Sequence, residues 1–517
     1  MDENKPSSCI VNSIKRIDTR LLIFVIIFLN TFSLKLDENE EAYFAFAKAF
    51  INHDWIPGAL SVKDVPGSRI IFDSVIGWAL SFASFEQVAV FGRSLTALLF
   101  AFPLARIFKK LKFTNLESIF ILQIICVLSH QSFFGKEWIF GSFETKVISY
   151  VFVFYSLFYL LDNRYFLSVL FSGFAVYFHI LVGGWYALIL FVYLLISRTT
   201  LKTILGYCLT FAALTAPVGI YLGTTYLVNN PNIIDGIQIS RVYVYFRNPH
   251  HLDIIKQLGY WGSSAQVGLI LSLLSGMLCL RLYSCSREPI IRKLALFSII
   301  LFSQQFLSLL IALVDNTGAF LKFYPYRTSS LSFFLMLILL TILFKGSNLR
   351  QTPHPGWRLP VKMPAGNPKT AVVALMIICI AAGLGIKIYK NFNDSSELLF
   401  PSPKASARSS LYIWIKQHTP SDAVFLDLDE GVREDLDFVR RTDRDSFSVY
   451  KFVPTTNKLI YDWYLRVQEK KRVEKDIAYL HTLRQKYRID FVMSKTPLAD
   501  KGFQVVYNND YYFLYSF

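Results

Sequence analysis

Long apolar runs separated by short charged clusters occupy most of the chain, and each can be compared with the about 20 residues a helix needs to cross about 30 Å of hydrocarbon. They fall near 20–36, 88–108, 116–132, 147–161, 165–181, 182–197, 203–222, 263–281, 294–314, 328–345 and 370–389, which predicts eleven transmembrane helices. A twelfth run, Ile70 to Phe85, must either span or lie flat, and the surrounding charges choose. If it lies flat, the basic clusters at Lys5/Lys15/Arg16/Arg20, Lys109/Lys110/Lys112, Arg198/Lys202, Arg287/Arg292/Lys293 and Lys345 through Lys369 share one side, as the positive-inside rule requires. If it spans, Lys109 to Lys112 are translocated. We therefore expect Ile70 to Phe85, with Asp73 and Trp78, to form a re-entrant or interfacial helix on the outer face. The amino terminus is then cytoplasmic and the tail after the last span lies outside. Residues 1–19 contain charges and no separate apolar run with a small-residue cleavage site, so the first span reads as a retained helix. The Pro-rich stretch Gln351 to Pro368 reads as a cytoplasmic linker.

Beyond Asn391 the pattern changes. Leu411 to His418 reads as a helix, Ala423 to Leu428 as a strand and Leu459 to Tyr487 as one long amphipathic helix, followed by strands at Ile489 to Met493, Phe503 to Tyr507 and Tyr511 to Tyr515. The fold class expected is therefore a mostly α, polytopic membrane protein with a C-terminal extracytoplasmic α/β domain. Its parts are a transmembrane domain, 1–389, with a first outer loop, 37–87, and a soluble domain, 390–517, large enough to bury a small core.

Composition agrees with a membrane protein. The 517 residues are 53% hydrophobic and only 17% charged, with 47 Phe and 28 Tyr, and the mean hydropathy is +0.40. These values exclude a disordered chain, a coiled coil and a collagen-like fibre. The net charge of +16 does not imply a nucleic-acid partner, because the segment from Lys390 to Phe517 is nearly balanced, with 20 Lys/Arg against 18 Asp/Glu. The excess belongs to the membrane part, where it reports topology. Six cysteines show no CxxC pair and no His at ligand spacing, so neither a disulfide framework nor a zinc site is read.

With this topology the unusual polar residues fall in outer loops, and two groups of them can carry chemistry. The first is acidic: Asp37, Glu38, Glu40 and Glu41 begin where the first span ends. Carboxylates beside a bilayer are costly unless they bind water, cations or substrate. A general base aimed at an acceptor nucleophile is one reading; an acidic helix N-terminus favoured by the macrodipole is the plainer one. At helical spacing Asp37 and Glu41 share a face, and Tyr43, Phe44, Ala47 and Phe50 form an apolar stripe expected to lay this helix on the membrane. The second group is cationic: Lys136, Lys146, Arg247, His250, His251, Lys322 and Arg327, with Glu144 among them. The planar guanidinium of Arg327, opening the tenth span, suits a phosphate at headgroup level; snorkelling is the alternative for any one such residue. His179, between the fifth and sixth spans, reads either as a ligand contact or as a hydrogen-bonded core histidine. In the tail, Asp427-Leu-Asp429 lies beside Glu430, Glu434 and Asp435 and reads as a solvated acidic loop rather than a metal motif.

A first span followed by Asp37-Glu38 and Ala42-Tyr43-Phe44-Ala45, an outer surface helix, many spans and a folded external tail resembles the GT-C glycosyltransferases, which include protein O-mannosyltransferases, lipid A aminoarabinose transferases and oligosaccharyltransferases. The chain is also similar to an uncharacterised group of bacterial GT-C-like membrane proteins. That likeness is carried by Phe143-Glu144-Thr145-Lys146, Phe178-His179 with Gly183, Arg247-Asn-Pro-His-His-Leu252, Tyr326-Arg327, Trp414 to Pro420 and Asp462-Trp463-Tyr464. The resemblance implies a polyprenyl-phosphate-linked sugar as donor, Asp37 as catalytic base with Glu38 beside it, and a single inverting displacement at the anomeric carbon. Lys136, Glu144, Lys146, His179, Arg247, His250, His251 and Arg327 would then serve substrate and phosphate, all converging with the carboxylates in one outer pocket. Glu40 and Glu41 compete for the base's role. The acceptor is a glycan, lipid or protein of the envelope, a divalent metal is left open, and the location implied is the bacterial inner membrane. The competing reading is an envelope polysaccharide polymerase or flippase. A transporter, however, should show discontinuous spans and internal repeats, which this sequence lacks.

Overall fold

The computed structural model describes residue 14 and residues 16–197, 199–226, 228, 230–345, 368–428, 436–498 and 502–517. Lys5, Cys9, Lys15, Arg198, the linker before Pro368, and Asp429, Glu430, Glu434 and Asp435 lie outside the described residues. Leaving aside single turns, the helices are α1 Thr19–Thr31, α2 Glu38–Ile51, α3 Ile70–Ala79, α4 Phe85–Lys110, α5 Asn115–Val127, α6 Thr145–Leu161, α7 Tyr165–Phe178, α8 Ile180–Ile196, α9 Leu201–Tyr226, α10 Ser264–Cys285, α11 Pro289–Ala312, α12 Ser329–Lys345, α13 Pro368–Leu399, α14 Pro403–His418, α15 Phe438–Thr442, α16 Asn457–Lys475 and α17 Tyr479–Lys486.

Each of the eleven apolar runs carries one helix. Among the described residues, five are long and apolar enough to cross a membrane, α4, α9, α10, α11 and α13, and six are shorter, at 10–17 residues. By length and composition the chain is an integral membrane protein. The twelfth run yields only α3, whose 10 residues rise about 15 Å, half the distance a crossing requires.

The chain divides into two compact units. The first comprises Met1–Phe32, Gly92–Pro217 and Tyr243–Asn391. Its core is aromatic: Phe154 meets Phe334 edge-on at 5.0 Å, and Phe100 meets Phe140 at 5.0 Å. Serines let helices approach, since Ser149 Oγ of α6 donates to Ala175 O of α7 (2.8 Å) and Ser156 Oγ to Ser168 O (2.6 Å). Such hydroxyls remain satisfied within the helix pair, as a hydrocarbon surrounding demands.

The second unit comprises Ser33–Phe91, Val218–Val242 and Phe392–Phe517. It contains a small hairpin, β1 Ile233–Ile234 with β2 Ile237–Gln238, and a five-stranded mixed sheet. The sheet's strands are β3 Val424–Asp427, β4 Asp445–Ser446, β5 Phe491–Ser494, β6 Gln504–Asn508 and β7 Phe513–Ser516, in the order β4-β3-β5-β7-β6. β3 runs parallel to β4 and β5, whereas β7 is antiparallel to β5 and β6. The tail therefore folds around one sheet, and the first outer loop folds with it. Two expectations need correction here. The long helix over Leu459 to Tyr487 is two helices, broken where the Asp476 carboxylate accepts from Ala478 N (3.1 Å) and supplies a turn in place of helical bonding. The apolar stripe of α2 also does not face lipid: Phe44 and Ala47 are fully buried, and Ala42, Ala45 and Phe46 share a core with Tyr412, Ile415, Phe425, Phe438 and Phe452 of the tail. Gly77 lets α3 close on α2, because a Cβ there would lie 2.2 Å from Ala47 O.

Polar bonds fasten the same junction. The buried Asp445 carboxylate accepts from Leu60 N (2.9 Å), Ser61 N (3.0 Å) and Ser61 Oγ (2.5 Å), Trp55 Nε1 donates to Asp443 (2.6 Å), and Asp64 accepts from Thr455 N (2.8 Å). Asp445→Ala strands two backbone donors, and should destabilise this unit by about 2–4 kcal/mol while accelerating amide exchange at Leu60 and Ser61. Denaturation in detergent with site-resolved exchange checks this; unchanged exchange at both amides contradicts it.

Candidate functional site

Two polar clusters stand out, one in each unit. In the first unit, the loop between α5 and α6 is moored by its own buried Gln131, whose Oε1 accepts from Ile139 N (2.8 Å) and Phe140 N (3.0 Å) and whose Nε2 donates to Phe140 O (2.8 Å). Ser329 Oγ, at the start of α12, accepts from Phe133 N and Phe134 N (3.1 and 3.0 Å). Gly135 turns the loop with a φ of +75°, where a Cβ would also meet His251 O at 3.2 Å. These constraints place Glu137, 2% exposed, at the centre of the cluster. Arg327 Nη1 donates to both its oxygens (2.7 and 2.6 Å). Lys146 Nζ lies 3.3 Å from Glu137 Oε2 and 3.0 Å from Glu144 Oε1, with the Trp138 ring 3.7 Å away. His251 Nδ1 sits 2.5 Å from Gly135 O and 3.8 Å from Glu137 Oε1.

Burial alone would raise the Glu137 carboxyl, but the charges of Arg327 and Lys146, with the Arg327 hydrogen bond, outweigh it and hold it at about 2. Burial also pushes the His251 imidazole down to about 3 against the pull of Glu137. It is thus neutral at pH 7, and because a carbonyl only accepts, Nδ1 carries the proton given to Gly135 O. His250 packs on His251 with ring centroids 4.1 Å apart. Arg247 is buried, its Nη1 3.5 Å from Asn248 Oδ1. His179 closes α7 and caps α8, its Nδ1 accepting from Val182 N (3.2 Å). Lys136 is half-buried with a left-handed backbone, φ +49°.

The second unit encloses a cavity of about 720 Å³, lined by Glu38 and Glu41 of α2, Glu86 at the start of α4, Lys35, Asp394, Lys404 and Arg408 of α14, Asp437, and Arg440 and Arg441 of α15. The order of roles along α2 follows from helix-end chemistry. Asp37 is the N-cap: Oδ1 accepts from Asn39 N (2.9 Å), while Glu40 Oε2 accepts from Asp37 N (2.8 Å), a reciprocal capping box. Glu40 is fully buried in that role. Glu41 has both oxygens bound by Arg440, Oε2 to Nε and Oε1 to Nη2, each at 2.8 Å. Glu40 and Glu41 are thus held by buried partners, whereas Asp37, bonded to Asn39 N, is exposed and Glu38 faces the cavity with Lys451 Nζ 3.6 Å away. Opposite them, Arg441 (3.2 Å) and Arg408 (3.6 Å) converge on Asp437 Oδ2. Among the described residues, no group of three or more His, Cys, Asp or Glu is arranged to hold a metal ion.

The structure thus brings Glu144, Lys146, His251 and Arg327 together around Glu137, and places Asp37 and Glu38 in the other unit. Glu137 is not among the residues singled out from the sequence; the lysine and tryptophan that flank it, Lys136 and Trp138, were the available signal. Nothing in the periodicity of the tail singles out Arg440 or Asp437.

Because its carboxyl is depressed when folded, Glu137 stabilises the first unit above its unfolded value of about 4.3, and that contribution is lost as pH falls through about 2. Glu137→Ala should remove this pH dependence and cost about 3–5 kcal/mol by leaving buried Arg327 and Lys146 uncompensated. Thermal unfolding in detergent between pH 7 and pH 3 measures both effects; an unchanged midpoint at pH 7 contradicts the assignment.

No protein-family profile matches the chain, and no curated protein matches it. Among solved structures it is similar to ArnT from Cupriavidus metallidurans bound to undecaprenyl phosphate, with 11% identity and a TM-score of 0.47 over 99% of this chain and 98% of that one.

Proposed function

We propose that this protein is an integral-membrane glycosyltransferase of the GT-C kind, with eleven spans, that moves a sugar from a polyprenyl-phosphate-linked donor to an envelope acceptor on the extracytoplasmic face. The observation that carries the reading is the cavity of the second unit, where Glu38, beside the capping residue Asp37, faces basic side chains of the tail. Its volume of about 720 Å³ is that of a site for a small ligand.

In this reading an acceptor hydroxyl attacks the anomeric carbon, the bond from that carbon to the phosphate oxygen breaks, and the phosphate leaves with the electron pair, inverting the centre. The acceptor's proton passes to the Asp37–Glu38 pair, a general-base contribution of about 10²–10⁴-fold. Arg327 and Lys146, with Lys136, Arg247, His250 and His251, are assigned to the donor's phosphate, where charge grows as the bond breaks. Both Arg327 and Lys146 are engaged by Glu137, so a phosphate competes with that carboxylate for them.

Asp37→Asn separates base from cap, since asparagine caps a helix as well as aspartate does but accepts no proton. Transfer of labelled sugar from a polyprenyl-phosphate donor by purified protein should fall at least ~100-fold in Asp37→Asn or in Glu38→Gln, with thermal stability unchanged. Full activity in the double variant removes the base assignment. Absence of transfer by the unaltered protein would favour the transport-type alternative.

Arg327→Lys keeps charge but not the planar donor set. It should raise KM for the donor and lower kcat, roughly 10-fold in each. Unaltered kinetics for the lysine variant exclude a phosphate role.

A further inference from the structure

The tail domain reaches the first outer loop with a guanidinium at the most crowded point of the cavity. Arg440, on α15, uses all three of its nitrogens on carboxylates of the other segment: Nε and Nη2 form a fork on Glu41 (2.8 Å each), and Nη1 donates to Glu86 Oε1 (2.6 Å). Glu41 is 7% exposed, so neither of its oxygens has water to fall back on. The geometry is bidentate and charge-assisted, the strongest arrangement open to these groups. The same guanidinium thereby joins α2 to the first turn of α4. Its neighbour Arg441 is turned onto the tail's own Asp437 and Ser409 (3.2 and 2.9 Å), so the pair Arg440-Arg441 divides its work between loop and tail.

Glu41 lies three residues beyond Glu38 on α2, one turn on along the same face, and both line the cavity. Fixing Glu41 therefore fixes the rotation and height of Glu38, and it removes Glu41 from the acceptor's reach. We propose that Arg440 is a positioning residue: by locking Glu41 and Glu86 it sets the Asp37–Glu38 turn as the proton-accepting edge of the cavity, and it is the tail domain's contribution to the reaction. The proposal rests on the glycosyltransferase reading above and adds to it what the tail does and why Glu41 is not the base. A lysine cannot replace Arg440, since a single ammonium cannot hold both oxygens of Glu41 and reach Glu86. Burial, with Asp437 and Glu86 nearby, raises Glu41 to about 6 even with Arg440 on it, so loss of the cation leaves an acidic cluster whose members repel.

The test compares Arg440→Lys, Arg440→Gln and the neutral pair Glu41→Gln/Arg440→Gln in the full-length protein, reading kcat, KM and the acid limb of the pH profile. The groups facing the Asp37–Glu38 turn are Glu40 and Glu41 on its own helix, Lys451, Arg440 and Asp437 from the tail, and Glu86 from α4. Arg440→Lys should lower kcat ~10–100-fold through misplacement, with KM for the donor and the acid limb unmoved. Arg440→Gln should lower kcat as much and move the acid limb up by about 0.5–1 unit, since a cation is lost and Glu41 and Glu86 are left uncompensated. In the neutral pair the limb should return toward its original place. A residue that only stabilises the fold would reduce the amount of folded protein and leave the limb where it was. Amide exchange across Glu38–Ile51 provides a readout that needs no substrate: faster exchange in Arg440→Gln supports the lock, and if the unaltered protein transfers no sugar, that result sinks the glycosyltransferase reading alone. Unchanged exchange, or normal kcat with an unmoved limb in Arg440→Gln, overturns the proposal.

Discussion

A charge withdrawn from water in so apolar a chain persists only beside a fixed opposite charge or a set of hydrogen-bond donors, and this constraint organises the polar architecture of both units. A lone buried ion costs several kcal/mol, which its partner must offset with good geometry and further hydrogen bonds. Glu137 meets the condition with Arg327 and Lys146. Glu41 meets it with Arg440. Each arrangement binds segments that are distant in sequence, so satisfying a charge and closing the fold are one event.

The second unit illustrates this. Its sheet comes from the tail, but its core is shared with α2, and the loop following α2 delivers Leu60, Ser61 and Asp64 to hydrogen bonds with Asp445 and Thr455. The segment after α1 thus does not stand apart as a helix of its own, because α2 is part of the tail's core. Its apolar face is needed by the tail, and of its acidic N-terminal turn that packing leaves Asp37 exposed and Glu38 half-buried while Glu40 and Glu41 are buried. The capped helix end presents Glu38 to the cavity on a rigid element.

In the first unit the helices differ in how they meet their surroundings. The α6, α11 and α12 helices bury at least half of their residues. By contrast, α9 and α13 leave Leu201, Leu205, Leu209, Leu375, Ile378 and Ile386 exposed. Those side chains suit hydrocarbon, where exposure of apolar surface carries no penalty.

The positions of the apolar helices were legible in the sequence because membrane burial acts on each residue separately: a run of Leu, Ile, Phe and Val states its own preference without reference to a partner. The strands β3, β5, β6 and β7 of the tail were legible for a similar reason, since period-two alternation spans a few residues; β4, two residues long, is too short to show it. Pairing is different. Glu137 finds Arg327 across 190 positions and Arg440 finds Glu41 across 399, and no local pattern encodes which of several cations will reach a given carboxylate. The same limit explains why α2 read as a lipid-facing helix when it is a core element of the tail's unit. Hydropathy alone assigns an apolar stripe to lipid or to protein with equal ease, and only tertiary packing, through the burial of Phe44, Phe46 and Ala47, decided which surface it meets.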